Sequence, residues 1–237
     1  ASGVSLLASL SGDDWTLTGT KTNVLDGLVA QLVLVAARTP DGVRLFAVDG
    51  SAPGLTKTSL DTLDQTRKQA RLDFVDVPAR LLGVDGDGWA AVRLALEQAA
   101  VLLACEQVGG AQRVLDMSVE YATLRLQFGR PIGSFQAIKH RCADMLVAVE
   151  QARSVAYYGV WAADTDPGEL PLAASMAKVC ASEAFVQCAR DTIQIHGGVG
   201  FTWEHPAHLY LKRALSSELV LGSPAYHRQL LAQRIGV

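Results

Sequence analysis

No Cys-x-x-Cys pair occurs in this chain. Cys105, Cys142, Cys180 and Cys188 fall inside apolar, helix-patterned stretches, which excludes the spacing of a zinc ribbon or dithiol motif and reads as four reduced core residues, the setting of a cytoplasmic protein. Charge of one sign is equally scarce. With 21 basic and 24 acidic residues the formal net charge is -3, so there is no electrostatic footprint for nucleic acid and no polybasic block for a membrane surface. The longest apolar run, LVAQLVLVAA at 28–37, is too short to span a bilayer, and no charged stretch precedes an apolar leader, so no membrane or export signal is expected. His140, His205, His208 and His227 share no ligand spacing with carboxylates, and no metal site is expected. Internal repeats and low-complexity segments are also missing.

What is present changes character near residue 87. Before it lie short β-branched runs, 15–21, 30–37, 43–48 and 71–78, broken by Asp41-Gly42 and Pro53-Gly54; these predict an antiparallel β region. After it, apolar residues recur three and four apart over roughly 87–127, 134–164, 170–195 and 207–233, predicting four helices. The expected fold class is therefore α+β, with a β domain at 1–86 and a helical bundle at 87–237. The opening ASGVSLLASL lacks a recognisable folding start, and the β domain is expected to be incomplete at that end.

Two stretches carry candidate chemistry. DTIQIHGGVGF at 191–201 ends the third helix in a glutamine, a histidine and three glycines. One glycine suffices to stop a helix; Gly197, Gly198 and Gly200 together also let a ligand approach the backbone beside Gln194. The plainer alternative is a tight turn packed on a neighbouring helix. His196, at the helix end, is expected to bond a carbonyl rather than a cofactor. The second stretch, RLQFGRPIGSFQ at 125–136, sets Arg125 and Gln127 at a helix end, Phe128 beside a glycine turn and Gln136 early in the next helix. Arg125 suits a diphosphate, Phe128 an aromatic ring, and the glutamines a heterocycle or ribose. Alternatively, Arg125 caps a helix C-terminus above a buried Phe128. Trp15, Trp89, Trp161 and Trp203 read as core or interface anchors, and Asp116 with Glu120 as a solvated face.

Together these motifs resemble those of the acyl-CoA dehydrogenases, flavoproteins with an N-terminal helical domain, a middle β domain and a C-terminal four-helix domain. YATLRLQFGRPIGSFQAIKHRCADM at 121–145 is similar to their arginine-x-x-phenylalanine-glycine segment, and QIHGGVGFTWEHP at 194–206 to their glutamine-x-x-glycine-glycine-x-glycine signature. The resemblance implies a chain that starts within the β domain, without the N-terminal helical one. It also implies FAD shared with a neighbouring subunit: Arg125, Gln127, Phe128 and Gln136 toward the diphosphate and adenosine, and Gln194, Gly197 and Gly198 at the far end of the cofactor in the paired subunit.

The reaction of such enzymes needs a carboxylate to take the α-proton of an acyl thioester while hydride leaves for the flavin. By resemblance the usual position of that base falls on Val220-Leu221-Gly222-Ser223, at Leu221, and the minority position on Ala99, followed by Ala100. Glu97 and Glu218 are the nearest displaced candidates, each read more simply as a salt-bridged or solvent-facing glutamate. Where the family carries tryptophan-isoleucine-threonine against the flavin ring, this chain has Asn23-Val24-Leu25 before Asp26-Gly27, and Leu209 and Arg213 replace a usual basic and acidic residue. Losses cluster at the reaction centre while the adenosine-side motifs persist. The chain is thus expected to be the non-catalytic subunit of a heteromeric acyl-CoA dehydrogenase, meeting acyl-CoA mainly through a catalytic sister subunit. A self-sufficient enzyme using Glu97 or Glu218, and a scaffold without flavin, stand as alternatives.

Overall fold

The computed structural model describes residues 3–83 and 88–237. The expected boundary between residues 86 and 87, and the expected helix start at 87, lie outside the described residues. Two compact units are present, one reaching Ala95 and the other Leu96–Val237.

The first unit is a β-barrel. β1 (Leu7–Ser11), β2 (Asp14–Leu25), β3 (Leu32–Thr39), β4 (Gly42–Asp49), β5 (Leu55–Leu60) and β6 (Gln69–Leu82) form one sheet in the order β2-β1-β3-β4-β6-β5. The sheet closes because β6 also pairs with β2, over Trp15↔Ala79 to Leu25↔Gln69. Alternation along the strands drives this arrangement, since inward positions are apolar and successive side chains face opposite sides. Leu6, Leu17, Val35, Phe46, Val48, Leu72, Phe74 and Val77 fill the interior. The opening residues correct the sequence reading. Leu7–Ser11 does form a strand, pairing antiparallel with β2 and, at Leu7↔Arg38, parallel with β3. β5 was also unforeseen, because LTKTSL has little apolar content of its own and is held by its ladder to β6.

The second unit is helical. α1 (Gly88–Leu124), α2 (Gln136–Thr165), α3 (Leu170–His196), α4 (Ala207–Leu219) and α5 (Pro224–Ile235) are joined by short connections. Small side chains let the long helices approach closely. Ala104 and Val108 of α1, Ala152 and Ala156 of α2, and Ala177, Ala181 and Ala184 of α3 form one buried seam. Next to it Val114, Met145, Val149, Phe185 and Ala189 form a larger cluster. Gly110 sits under Phe185, where a Cβ would lie 2.5 Å from the ring. By length and composition alone α1 suffices to cross a membrane, which the expectation drawn from residues 28–37 overlooked; its face from Ala100 to Ala122 packs in this helical core.

Two helix ends differ from expectation. α1 stops at Leu124, so Gln127 belongs to a short strand rather than to the helix. The single helix expected over 207–233 is two, broken at 220–223, where Leu221 and Gly222 have φ of 62° and 106°. Ser223 then caps α5 by accepting from the Tyr226 N–H, and Pro224 takes the first helical position. That Ser-Pro start was legible but was outweighed by the apolar spacing around it.

Candidate functional site

Leu126–Gln127 and Arg130–Pro131 pair as a minimal antiparallel hairpin directly after α1. Its loop is Phe128-Gly129, with φ of 53° and 74°, the double left-handed geometry of a type I′ turn. A phenylalanine at such a position is strained. Here the ring stands 91% exposed, which corrects the alternative of a Phe buried under the turn. Its edge meets Phe135, 6.1 Å away, and Arg130 covers the Phe135 ring at 4.1 Å. The Arg125 main chain is held at both ends, its N–H bonded to Tyr121 O and its carbonyl accepting from Ile132 N. Its guanidinium is exposed and engages no hydrogen bond or ion pair among the described residues. Gln127 folds back on the Leu126 carbonyl at 2.8 Å, and Gln136 opens α2 with an exposed side chain.

The glycine turn follows α3. Each glycine is there for a different reason. Gly197, with φ 61° and ψ -139°, takes a positive-φ, extended conformation open essentially to glycine alone, and this ends the helix. Gly200 is needed for closeness, since a Cβ would lie 2.9 Å from His196 Cβ. Gly198 has no atom within 4 Å of where a Cβ would be, so nothing within the chain demands a glycine there. That leaves open backbone beside the exposed Gln194. His196 is buried, and its Nδ1 donates to the Thr192 carbonyl at 2.9 Å, the helix-end carbonyl bond expected of it.

One residue missed from the sequence ties the two motifs together. Tyr121, one turn before the end of α1, stacks on His196 with centroids 4.4 Å apart. His205 continues the column at 4.3 Å, and its Nδ1 accepts from the Ala207 N–H. Burial, then the neighbouring His196 and His208, lower the proton affinity of His205. Below them the Ser118 and Thr192 hydroxyls lie 3.0 Å apart and both reach Val114 O, so their two hydrogens are shared among three contacts, one donating to the carbonyl and the other to the carbonyl or to its neighbour. The hairpin and the glycine turn therefore occupy the same end of the bundle. Trp203, 73% exposed and flanked by Lys212 and His208, is there as well, as an outward aromatic rather than a core residue.

At the other end lies the turn after α4, which contains Leu221, the residue that the resemblance sets at the usual base position. Leu221 packs beside Ala100, Val101, Leu170 and Ala174. Glu97 is bound to Arg234 at 2.8 Å, and Arg234 also reaches Ser175 Oγ and the Pro171 carbonyl. Arg213, in a usually acidic position by the resemblance, pairs with Glu106 at 3.1 Å. Lys178 was not foreseen at all. It is completely buried on α3, and its Nζ donates to Ser182 Oγ and to the carbonyls of Ser217 and Glu218 at 2.9–3.0 Å. Gln107 completes the network through Ser182. A lone lysine on the small-residue stripe Ala174, Lys178, Ser182 was the available signal. In unit one, Asn23 and Asp26 take φ of 56° and 52° around Leu25, so the turn expected at Asp26-Gly27 is present.

This order of elements, a β-barrel and then a bundle carrying an exposed arginine hairpin and an open glycine turn, defines a class. Residues 86–236 match the family described as acyl-CoA dehydrogenase, C-terminal domain, and the chain belongs to the acyl-CoA dehydrogenase family. It is 45% identical over 163 residues to acyl-CoA dehydrogenase IpdE2 of Mycobacterium tuberculosis, covering 69% of this chain and 46% of that one. The ChsE4-ChsE5 complex of the same organism superposes with a TM-score of 0.89 at 31% identity, over 98% of this chain and 62% of the other. The Tcur3481-Tcur3483 steroid acyl-CoA dehydrogenase G363A variant gives 0.89 at 35% identity, over 98% and 62%. The chain thus spans between about half and two thirds of the length of these relatives.

Proposed function

We propose that this chain is a subunit of an FAD-dependent acyl-CoA dehydrogenase acting on the Cα–Cβ bond of an acyl thioester. It contributes FAD contacts and interface helices, and a sister chain supplies the catalytic base. The observation that carries the cofactor role is Arg125: a fixed backbone, an exposed guanidinium and no partner for its charge among the described residues. Guanidinium forks suit diphosphate oxygens, and open backbone at Gly198 suits close approach of a ligand. Arg125, Gln127, Phe128 and Gln136 would hold the diphosphate and adenosine side, and Gln194, Gly197 and Gly198 the far end of a cofactor shared with the neighbour. FAD, when bound, supplies the acceptor for the hydride that leaves Cβ.

The non-catalytic role rests on the residues at the two base positions. Leu221 and Ala99 accept no proton, and Leu221 is set among alanines, Val101 and Leu170. Glu97 is committed to Arg234. A solved relative is itself described as a complex of two chains, ChsE4-ChsE5, in keeping with mixed pairing. Four free cysteines, whose thiols burial pushes up, Cys188 to about 12, fit a cytoplasmic setting.

The test is the visible spectrum of the chain purified alone and after co-expression with a candidate sister chain, followed by anaerobic acyl-CoA addition. Flavin colour and bleaching confined to the mixed complex is the expected outcome. A yellow lone chain that bleaches with substrate would overturn the assignment.

A further inference from the structure

The turn between α4 and α5 is held in an unfavourable shape by groups outside it. Gly222 N–H donates to Leu219 O at 3.2 Å, and Val220 has φ -62° and ψ 134°. With Leu221 at φ 62° this is a type II turn whose third residue, normally glycine or asparagine, is leucine. Such a residue persists only where its surroundings over-determine it. Three contacts do so here. The Leu221 side chain packs on Ala100, Val101, Leu170 and Ala174. Lys178 fixes the two carbonyls that enter the turn, those of Ser217 and Glu218. His227, 5% exposed, bonds the Leu221 carbonyl through Nε2 at 2.9 Å. A carbonyl only accepts, so Nε2 carries the hydrogen. Nδ1 is then a buried lone pair, and it has no hydrogen-bond partner among the described residues.

We propose that His227 is a proton-operated latch on this turn: uncharged, it holds Leu221 left-handed; protonated, it leaves the turn, and the segment 219–227 opens. The charged groups around it favour that direction. Lys178 of α3 and Arg234 of α5 both disfavour a second positive charge at His227. Glu97 of α1 is spent on Arg234, and Glu218 of α4 acts on Lys178. Tyr226 offers its ring at 5.4 Å rather than an acceptor. A protonated Nδ1 would be a buried donor with no acceptor among the described residues, which is costly. Gly222 closes off the other side, since any Cβ there would meet the Tyr226 ring at 2.5 Å and His227 Nε2 at 3.1 Å. Burial lowers the proton affinity of His227 first, and the two cations lower it further, against the raising effect of the Leu221 bond. Opening restores an ordinary imidazole, so acid favours the open form.

Hydrogen–deuterium exchange of the full chain, in the assembly in which it purifies, tests this. After correction for the intrinsic pH dependence of exchange, protection of 219–227 should fall by about tenfold per pH unit below the ordinary histidine range. Peptides from α2 should hold constant. His227→Gln, whose amide can donate to the Leu221 carbonyl without titrating, should abolish the response. An equal response in both proteins, or none in the wild type, would overturn the latch. Should that variant fail to fold, imidazole nitrogen NMR of the wild type decides: an Nε2–H tautomer titrating below the ordinary value is expected, and an imidazole that titrates at the ordinary value with the turn still closed sinks the proposal.

Discussion

Tyr121 and His196 stack with centroids 4.4 Å apart and planes 26° from parallel, joining the end of α1 to the end of α3. The arginine hairpin follows the first of these ends and the glycine turn the second. Removing the ring should loosen both. Tyr121→Ala is expected to lower stability by about 2–3 kcal/mol in urea titration, from lost burial and the ring pair, and Tyr121→Phe by well under about 1 kcal/mol.

Arg125 should behave in the opposite way. Its side chain has no partner in the described fold, so Arg125→Ala is expected to leave the thermal midpoint of the flavin-free chain unchanged, within about 0.5 kcal/mol. FAD retained by the mixed complex through gel filtration should fall at least about tenfold, the worth of one charge-assisted contact. Unaltered retention removes the assigned role.

The three glycines separate by mechanism. Gly198→Ala has room and should cost the fold almost nothing. Gly197→Ala should cost about 1–3 kcal/mol through its positive-φ, extended backbone, φ 61° and ψ -139°. Gly200→Ala, 2.9 Å from His196 Cβ, should cost about 1–3 kcal/mol through overpacking. Calorimetry of the three variants checks the ranking.

Lys178 makes stability depend on pH. Burial lowers its proton affinity to about 8 from an ordinary 10.5. Between those values the unfolded chain binds more protons than the folded one, so stability rises with pH across that window. Lys178→Met removes the donor to the Ser217 and Glu218 carbonyls from a buried network and should cost roughly 2–4 kcal/mol. It should also flatten the pH response, measured by urea unfolding at pH 7.5 and 9.5.

Glu97→Gln separates structure from catalysis. The Glu97 side chain is 14% exposed and bound to Arg234, so losing its charge should cost about 1–3 kcal/mol. Dye reduction by the folded mixed complex should persist, whereas its loss would reinstate Glu97 as the base.

Much of the architecture was legible before any coordinates. The change of hydrophobic period near residue 87 separated strands from helices, because a period of two and a period near 3.6 leave different marks. The two motifs at 125–136 and 194–206 were found from residue type and spacing alone, and both are displayed at one end of the bundle. Leu221 and Ala99 were expected at the base positions from the family resemblance, not from patterning.

Tertiary structure decided what depends on partners distant in sequence. β1 and β5 exist through their ladders, since neither stretch is apolar enough to declare itself. The break between α4 and α5 arises where Lys178 and His227 seize main-chain carbonyls, a contact that leaves no periodic trace. Likewise, Phe128 displays its ring because a hairpin forces two left-handed residues together. Sequence patterning reports which face a residue prefers, averaged over a whole element. Which atom meets a buried charge or a strained turn is set only when the elements pack.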